Sequence, residues 1–109
     1  MIYVTIYENQ EHEYTAFNCI GHAEYGEVGE DIVCAAVSVL VINTINSIEH
    51  LVSDEFNIVT EEKSGLIDFS LKENYSKESV LFIRSLVLGL QGIQNNYGNE
   101  YITLIFKEV

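Results

Sequence analysis

Residues 32–52, IVCAAVSVLVINTINSIEHLV, form a long apolar segment in the first half of the chain. Its apolar positions recur every three or four residues, which is the spacing of one face of an α-helix. Its many β-branched residues lower the intrinsic helix propensity, but the period is not that of a strand. We expect one face of this helix to be buried, formed by Val33, Val37, Leu40, Val41, Thr44, Ile45, Ile48 and Val52.

Segments with a two-residue alternation lie on both sides of this helix. Residues 2–7 (IYVTIY) and 13–20 (EYTAFNCI) precede it, and the polar turn between them predicts a hairpin. FNIVTEE and GLIDFSL flank KS and predict a second hairpin, while YITLIF near the C-terminus predicts a last strand. NYSKES begins a second predicted helix, with one side formed by Val80, Ile83, Val87, Leu90 and Tyr97.

The resulting order, β-β-α-β-β-α-β, predicts an α+β fold. We expect a single domain spanning residues 1–109, because a chain of 109 residues suffices for one hydrophobic core. One sheet should carry both long helices on one of its faces. The strand order within that sheet does not follow from the sequence.

The chain is strongly acidic, with 5 Lys and Arg against 17 Asp and Glu and a formal net charge of −12. Such a surface repels phosphates and anionic lipids, so we expect no direct binding to nucleic acid or membrane. It attracts basic proteins, ribosomal proteins among them, although acidity alone also serves solubility. Met1 leads directly into a strand without a signal peptide, and the two cysteines suit a reducing compartment. We therefore expect the protein to be cytoplasmic.

Residues 21–38, GHAEYGEVGEDIVCAAVS, contain the candidate catalytic residues. With Asp31 as the N-cap, Cys34 would lie in the first helical turn, where the helix dipole and free N–H groups stabilise a thiolate. His22 follows Gly21, a residue that permits unusual backbone angles or close packing, and would act as general base. Residue types alone leave two interpretations open, a nucleophile–base pair or two packing residues.

The neighbouring residues are equally ambiguous. Asp31 is either a helix cap or a group that orients His22, and Ser38, one turn beyond Cys34, either supports the site or bonds back to its own helix. Gly26 and Gly29 are permissive hinges, so the acidic loop between His22 and Cys34 is either a lid over substrate or an ordinary solvated loop.

A metal site is an alternative use of the same residues. Cys19, His22 and Cys34 have a plausible zinc-ligand chemistry, with a distant His12 or His50, or a carboxylate, as the fourth ligand. Cys19 lies in an alternating strand, however, and we expect it to be a small buried residue. We predict no metal and no other cofactor.

The run Gly21-His22-Ala23, followed by Gly26, Gly29 and Asp31-Ile32-Val33-Cys34-Ala35 and ending at Ser38, resembles the ribosomal-processing cysteine protease Prp family. The order of elements over the whole chain resembles that family as well. Cys19 is not part of the family motif.

This resemblance implies a cysteine endopeptidase with Cys34 as nucleophile and His22 as general base, supported by Gly21, Asp31 and Ser38. It also implies a substrate, the N-terminal extension of large-subunit ribosomal protein number twenty-seven in bacteria of the Firmicutes type, and a role in ribosome assembly. Cleavage would follow an aromatic residue and expose a small residue followed by lysines, and a homodimer is expected. The alternative is a non-catalytic acidic adaptor that binds a basic ribosomal protein.

Overall fold

The computed structural model describes residues 1–21 and 28–109, with the backbone alone at residues 28–30. The elements follow the predicted order and confirm the α+β class. They are β1 (Ile2–Glu8), β2 (Tyr14–Ile20), α1 (Val28–Leu51), β3 (Phe56–Glu61), β4 (Leu66–Leu71), α2 (Lys77–Tyr97) and β5 (Ile102–Glu108).

The strands form one sheet in the order β3-β4-β2-β1-β5. Both predicted hairpins are confirmed, because β1 pairs with β2 and β3 with β4 in antiparallel register. β5 joins the outer side of β1 in parallel, with Ile2 opposite Ile102. β2 also pairs with β4, where Cys19 lies opposite Ile67. This arrangement places the end of β2 at the middle of one end of the sheet.

Both helices pack on one face of the sheet and enclose the core between them. The alternation of each strand sends every second side chain toward the helices, as it does for Val4, Phe17 and Cys19. α1 and α2 complete the core with the residues Val33, Val37, Val41, Ile45, Ile48, Ile83, Leu86, Val87 and Leu90. The prediction that Cys19 is a small buried residue is confirmed, since only 6% of it is exposed.

The helix faces follow the predicted period with small differences. Leu40 is half-buried rather than part of the core, and Val52 follows the last residue of α1. Tyr97 was expected on the inner side of α2 but is exposed, because it is the last residue of the helix. Leu86 is buried although the sequence pattern did not mark it.

α1 and α2 approach each other closely at Gly89. A Cβ atom at this position would lie 2.9 Å from Cδ1 of Leu40, inside ordinary contact distance. The glycine therefore allows α2 to pack tightly on α1 of the same chain. Gly92, one turn further along α2, faces open space, because a Cβ atom there would meet nothing within 4 Å.

From Asp31 to Leu51, α1 is long and apolar enough to cross a membrane by length and composition. A core helix passes the same test, and one side of α1 does lie in the core through Val33, Val37 and Val41. Its opposite side exposes the apolar residues Ile32, Val39 and Ile42.

Candidate functional site

A cavity of about 390 Å³ lies between the first half of α1 and the β3–β4 hairpin. Residues spaced by one helical turn form its α1 wall, and strand residues form its floor. Those on α1 are Cys34, Val37, Ser38 and Val41, and those on β1, β2 and β4 are Ile2, Cys19, Leu66 and Ile67. The end of β3 and the β3–β4 turn contribute the rim residues Thr60, Glu61, Glu62 and Gly65. The site is thus an apolar hollow with carboxylates at its edge.

Cys34 lies at the boundary between this cavity and the core. Val33, next to Cys34, is buried, and so is Val37, one turn after Val33. These two residues fix the side of α1 that faces the sheet. Cys34 is half-buried, packs against the core cluster and carries a free thiol. A thiol that is neither sealed in the core nor fully solvated is accessible to a substrate while its position is fixed by packing.

The predicted start of α1 is wrong. The helix begins at Val28, so Asp31 is its fourth residue and Cys34 its seventh. Cys34 therefore lies in the second turn, beyond the reach of the first-turn N–H groups that the sequence assigned to it. The helix extends through Gly29 because local glycine propensity costs only about 1 kcal/mol, which packing of the following turns offsets.

Asp31 is consequently not the N-cap residue. It lies in the first turn of α1 and is exposed. A carboxylate there still interacts favourably with the positive end of the helix dipole, which accounts for an acidic residue at this place. Whether it orients His22 stays a prediction, because His22 lies outside the described residues.

The lid prediction named Gly26 and Gly29 as hinges. Gly29 belongs to the first turn of α1 and is not a loop hinge, so that prediction is wrong. Gly26, like His22, falls within residues 22–27, outside the part of the chain that the structure describes.

Gly21 shows why a glycine is needed where β2 ends. Its φ of +105° is a conformation that side-chain-bearing residues rarely adopt, and a Cβ atom would collide with the carbonyl oxygen of Met1. Its N–H donates a hydrogen bond of 3.0 Å to the carbonyl of Ser64 in the β3–β4 turn. Gly21 thereby joins the hairpin to the centre of the sheet at the cavity, and both properties expected of it are confirmed.

Ser38 lines the cavity one turn after Cys34. Among the described residues its hydroxyl has no hydrogen-bond partner, so the expected alternative of a bond back to the helix is not seen. Thr44 makes that kind of bond instead, donating to the carbonyl of Leu40 at 2.8 Å. The Ser38 hydroxyl is therefore available to a group bound in the cavity.

Cys19 is a cavity residue that the sequence placed only in the core. Burial, and secondarily the negative charge of a Cys34 thiolate, raise the pKa of Cys19 to about 11. It therefore stays a neutral thiol near pH 7 and is not a second nucleophile. No sequence signal could have found it, because Cys19 on β2 and Cys34 on α1 come to one cavity only in the folded chain.

The histidines proposed as distant metal ligands have other surroundings. Nδ1 of His12 lies 2.9 Å from Glu8 at the β1–β2 turn, and His50 lies near Glu49 at the end of α1. Neither lines the cavity, so neither is placed to complete a metal site with Cys19 and Cys34. The described residues contain no group of three or more potential metal ligands.

Comparison with known proteins gives one consistent result. The model of the family described as cysteine protease Prp matches residues 1–103. The ribosomal processing cysteine protease Prp of Staphylococcus aureus is 34% identical over 98% of this chain and 100% of its own length. A crystal structure of S. aureus Prp with a substrate peptide has a TM-score of 0.90 and 33% identity, covering 98% of this chain and 100% of the other. A second one, with a covalently linked product peptide, has a TM-score of 0.87 and 34% identity over the same shares.

Proposed function

We propose that this chain, which belongs to the cysteine protease Prp family and is a cysteine protease, removes the N-terminal extension of bacterial large-subunit ribosomal protein number twenty-seven. The observation that carries the proposal is the free thiol of Cys34 in the wall of an apolar cavity. The S. aureus relative is a ribosomal processing protease and binds a substrate peptide. Trimming of the ribosomal protein would then be a step in assembly of the large subunit.

Cys34 and His22 divide the chemistry in this proposal. The Cys34 thiolate attacks the scissile carbonyl carbon, and His22 first takes the thiol proton and then gives it to the leaving amine. The amine departs as the C–N bond breaks, which leaves a thioester on Cys34 Sγ. Water, deprotonated by the same imidazole, hydrolyses the thioester and restores the thiol. The half-buried position of Cys34 supports this assignment, as does the Ser38 hydroxyl, which lines the same cavity and has no partner in the described part of the chain.

The rim of the cavity supports a basic substrate. The exposed residues Glu61 and Glu62 lie at the β3–β4 turn, and neither carboxylate has an ion-pair partner among the described residues. The net charge of −12 adds a long-range attraction for a lysine-rich extension. Both effects weaken with added salt, because ions screen exposed charges over about 10 Å at 0.1 M.

The proposal extends to the setting in which the enzyme works. We place it in the cytoplasm, where ribosomal proteins are assembled, and as a homodimer that binds neither nucleic acid nor membrane. The side of α1 that faces away from the core includes the exposed apolar residues Val39 and Ile42, which supports a protein contact on this side. The acidic surface supports the absence of binding to phosphate-rich polymers.

The test uses a peptide that spans the extension, incubated with the wild-type protein and two variants. We expect Cys34→Ala and His22→Ala to reduce kcat/KM by at least about a thousandfold, the loss typical of a missing nucleophile or base. His12→Ala is the matched control, because His12 is exposed and far from the cavity, and it should cleave at the wild-type rate.

Full cleavage by Cys34→Ala would contradict its role as nucleophile, and full cleavage by His22→Ala would contradict the base. Binding of the peptide by the wild-type protein without any cleavage would identify an adaptor for this ribosomal protein. Mass spectrometry after iodoacetamide at neutral pH adds a second measurement, with modification expected at Cys34 and not at Cys19.

A further inference from the structure

An acyl-enzyme on Cys34 would hold part of the substrate against the cavity. Once Cys34 Sγ is bonded to the carbonyl carbon of the substrate, the Cα atom of the acyl residue is only two bonds from the sulfur. Its side chain must therefore occupy space directly beside Cys34. The 390 Å³ cavity provides space for this side chain, since Cys34 is one of the residues that line it.

The interior of this cavity is apolar. Its floor and inner wall are formed by Ile2, Cys19, Val41, Leu66 and Ile67, and its charged residues lie at the rim. The volume is at the lower end of the range for small-ligand pockets, about 300–1,000 Å³. The cavity thus suits one large apolar side chain and disfavours an anionic one, which would lose its hydration and face the carboxylates of the rim.

Cys19 occupies a fixed position on the floor of the cavity. It lies on β2 in the interior of the sheet, opposite Val4 on one side and Ile67 on the other. Because β2 is held by a strand on each side, its backbone cannot retreat when a larger side chain is introduced. The size of the residue at this position must therefore set the depth of the cavity.

We propose that Cys19 is a specificity-determining residue, whose small side chain gives the pocket beside Cys34 the depth to accept a large apolar residue on the acyl side of the scissile bond. The proposal rests on the proposed role of Cys34 as nucleophile. It does not depend on which protein is the natural substrate. The Cys19 thiol is neutral near pH 7, which agrees with a residue that lines the pocket and takes no part in the chemistry.

The test compares rates of alkylation of Cys34 by two probes, the chloromethyl ketones of N-benzyloxycarbonyl-phenylalanine and of N-benzyloxycarbonyl-alanine. Loss of chloride transfers the ketone methylene to Sγ and places the side chain beside Cys34. We expect the wild-type protein to prefer the phenylalanine probe, and Cys19→Leu to reduce that preference by about tenfold or more, the range for steric mismatch in an apolar pocket. Cys19→Ala should keep the preference and accept a tryptophan probe faster than the wild type does.

The matched control is Val4→Ala, because Val4 is the cross-strand neighbour of Cys19 and is fully buried but does not line the cavity. It should lose stability and keep the wild-type ratio of the two rates. Since Cys19→Leu could disturb the core, Cys19→Val provides a smaller step, and its ratio should fall between those of the wild type and Cys19→Leu. Thermal unfolding and peptide mapping confirm the folded state and modification of Cys34.

An unchanged ratio in folded Cys19→Leu and Cys19→Val would overturn the proposal, and so would equal rates for the two probes in the wild type. Both outcomes can be read even if the protein does not cleave the ribosomal extension, because alkylation needs no peptide-bond cleavage. Conversely, cleavage of the extension together with an unchanged ratio would keep the proposed function and remove Cys19 from it.

Discussion

The starts of the two helices are built in opposite ways. At α2, Ser76 is the N-cap and its hydroxyl accepts a hydrogen bond from the Ser79 N–H at 3.3 Å. Oδ2 of Asp54 accepts three more, from the Ser76 N–H and hydroxyl, both at 2.7 Å, and from the Ser79 hydroxyl at 2.6 Å. At α1, Asp31 is exposed, the Cys34 thiol opens into the cavity, and the Ser38 hydroxyl has no partner among the described residues.

This difference separates stability from reactivity. The polar side chains that cap the start of α2 are bound to another part of the chain, so a ligand would have to break a bond to use them. The first turns of α1 instead present a thiol and a hydroxyl that are open to a ligand, and their positions are held by buried neighbours. A protease site needs polar groups that are open to a ligand, and these contribute little to stability. The hydrogen-bonded start of α2 can supply stability in their place.

The largest effect on stability should come from Gly21, a position beside the cavity whose backbone is as tightly held as the start of α2. We expect Gly21→Ala to reduce the free energy of unfolding by about 2–4 kcal/mol, because φ is +105° and the Cβ atom would collide with Met1. Urea unfolding measures the change. The control is Gly98→Ala, which has a similar φ of +89° but only a loose contact at 3.9 Å, so an equal loss in both would mean that strain alone is responsible.

Removing the acceptor at the start of α2 should have the next largest effect. We expect Asp54→Ala to cost about 2–3 kcal/mol, because a charged acceptor is lost and the fully buried Ser79 hydroxyl is left without its partner. Cleavage per folded molecule should not change. A loss of activity larger than the loss of folded protein would contradict the separation of the two regions.

The same carboxylate should make stability depend on pH in acid. Hydrogen bonds, first that of Ser79, lower the pKa of Asp54 below its ordinary value, so the ionised form is favoured in the folded state. The stabilisation is present above the unfolded pKa of about 3.9 and is lost as the pH falls through the lower folded value. Between about pH 4 and pH 2, stability should fall more steeply in the wild type than in Asp54→Asn. Equal slopes would show that this carboxylate is not bound in solution.

The free energy of unfolding of Asp54→Asn must be subtracted from that of the wild type at each pH, because other groups titrate in the same pH range. Hydrogen bonds from Tyr75 and Asn9 also lower the pKa of Glu13. In addition, protonation reduces the self-repulsion of a chain with a net charge of −12. Both contributions are common to the two proteins and cancel in the difference.

The smallest effect concerns two glycines of α2 that the sequence could not distinguish. Gly92→Ala should raise the free energy of unfolding by about 0.5–1 kcal/mol, since alanine favours the helix and the position is open. Gly89→Ala should gain less or lose stability, because its Cβ atom would lie 2.9 Å from Leu40 Cδ1. Thermal unfolding of both variants tests this, and equal stabilisation would mean that α2 is not closely packed on α1 at Gly89.

Much of the fold could be predicted because the spacing of apolar residues is a local property of the sequence. Alternation marked the five strands, and the three-to-four spacing marked both helices, including the start of α2 in NYSKES. The start of α1 was predicted wrongly because GEVGED contains two glycines and three acidic residues, a composition typical of loops. Such propensities are weak, and a helix whose later turns are buried can extend through them.

The candidate site shows where prediction from the sequence ends. The run from Gly21 to Ser38 determined by itself the chemical groups that could act, a thiol, an imidazole and a hydroxyl, since these follow from residue type. Its motif also identified the protease family. Only the tertiary structure decided that Cys19 shares a cavity with Cys34, that Glu61 and Glu62 form its rim, and that Gly21 must be a glycine. These relations join residues from separate elements across the helix–sheet interface, and such distances depend on packing that no local pattern encodes.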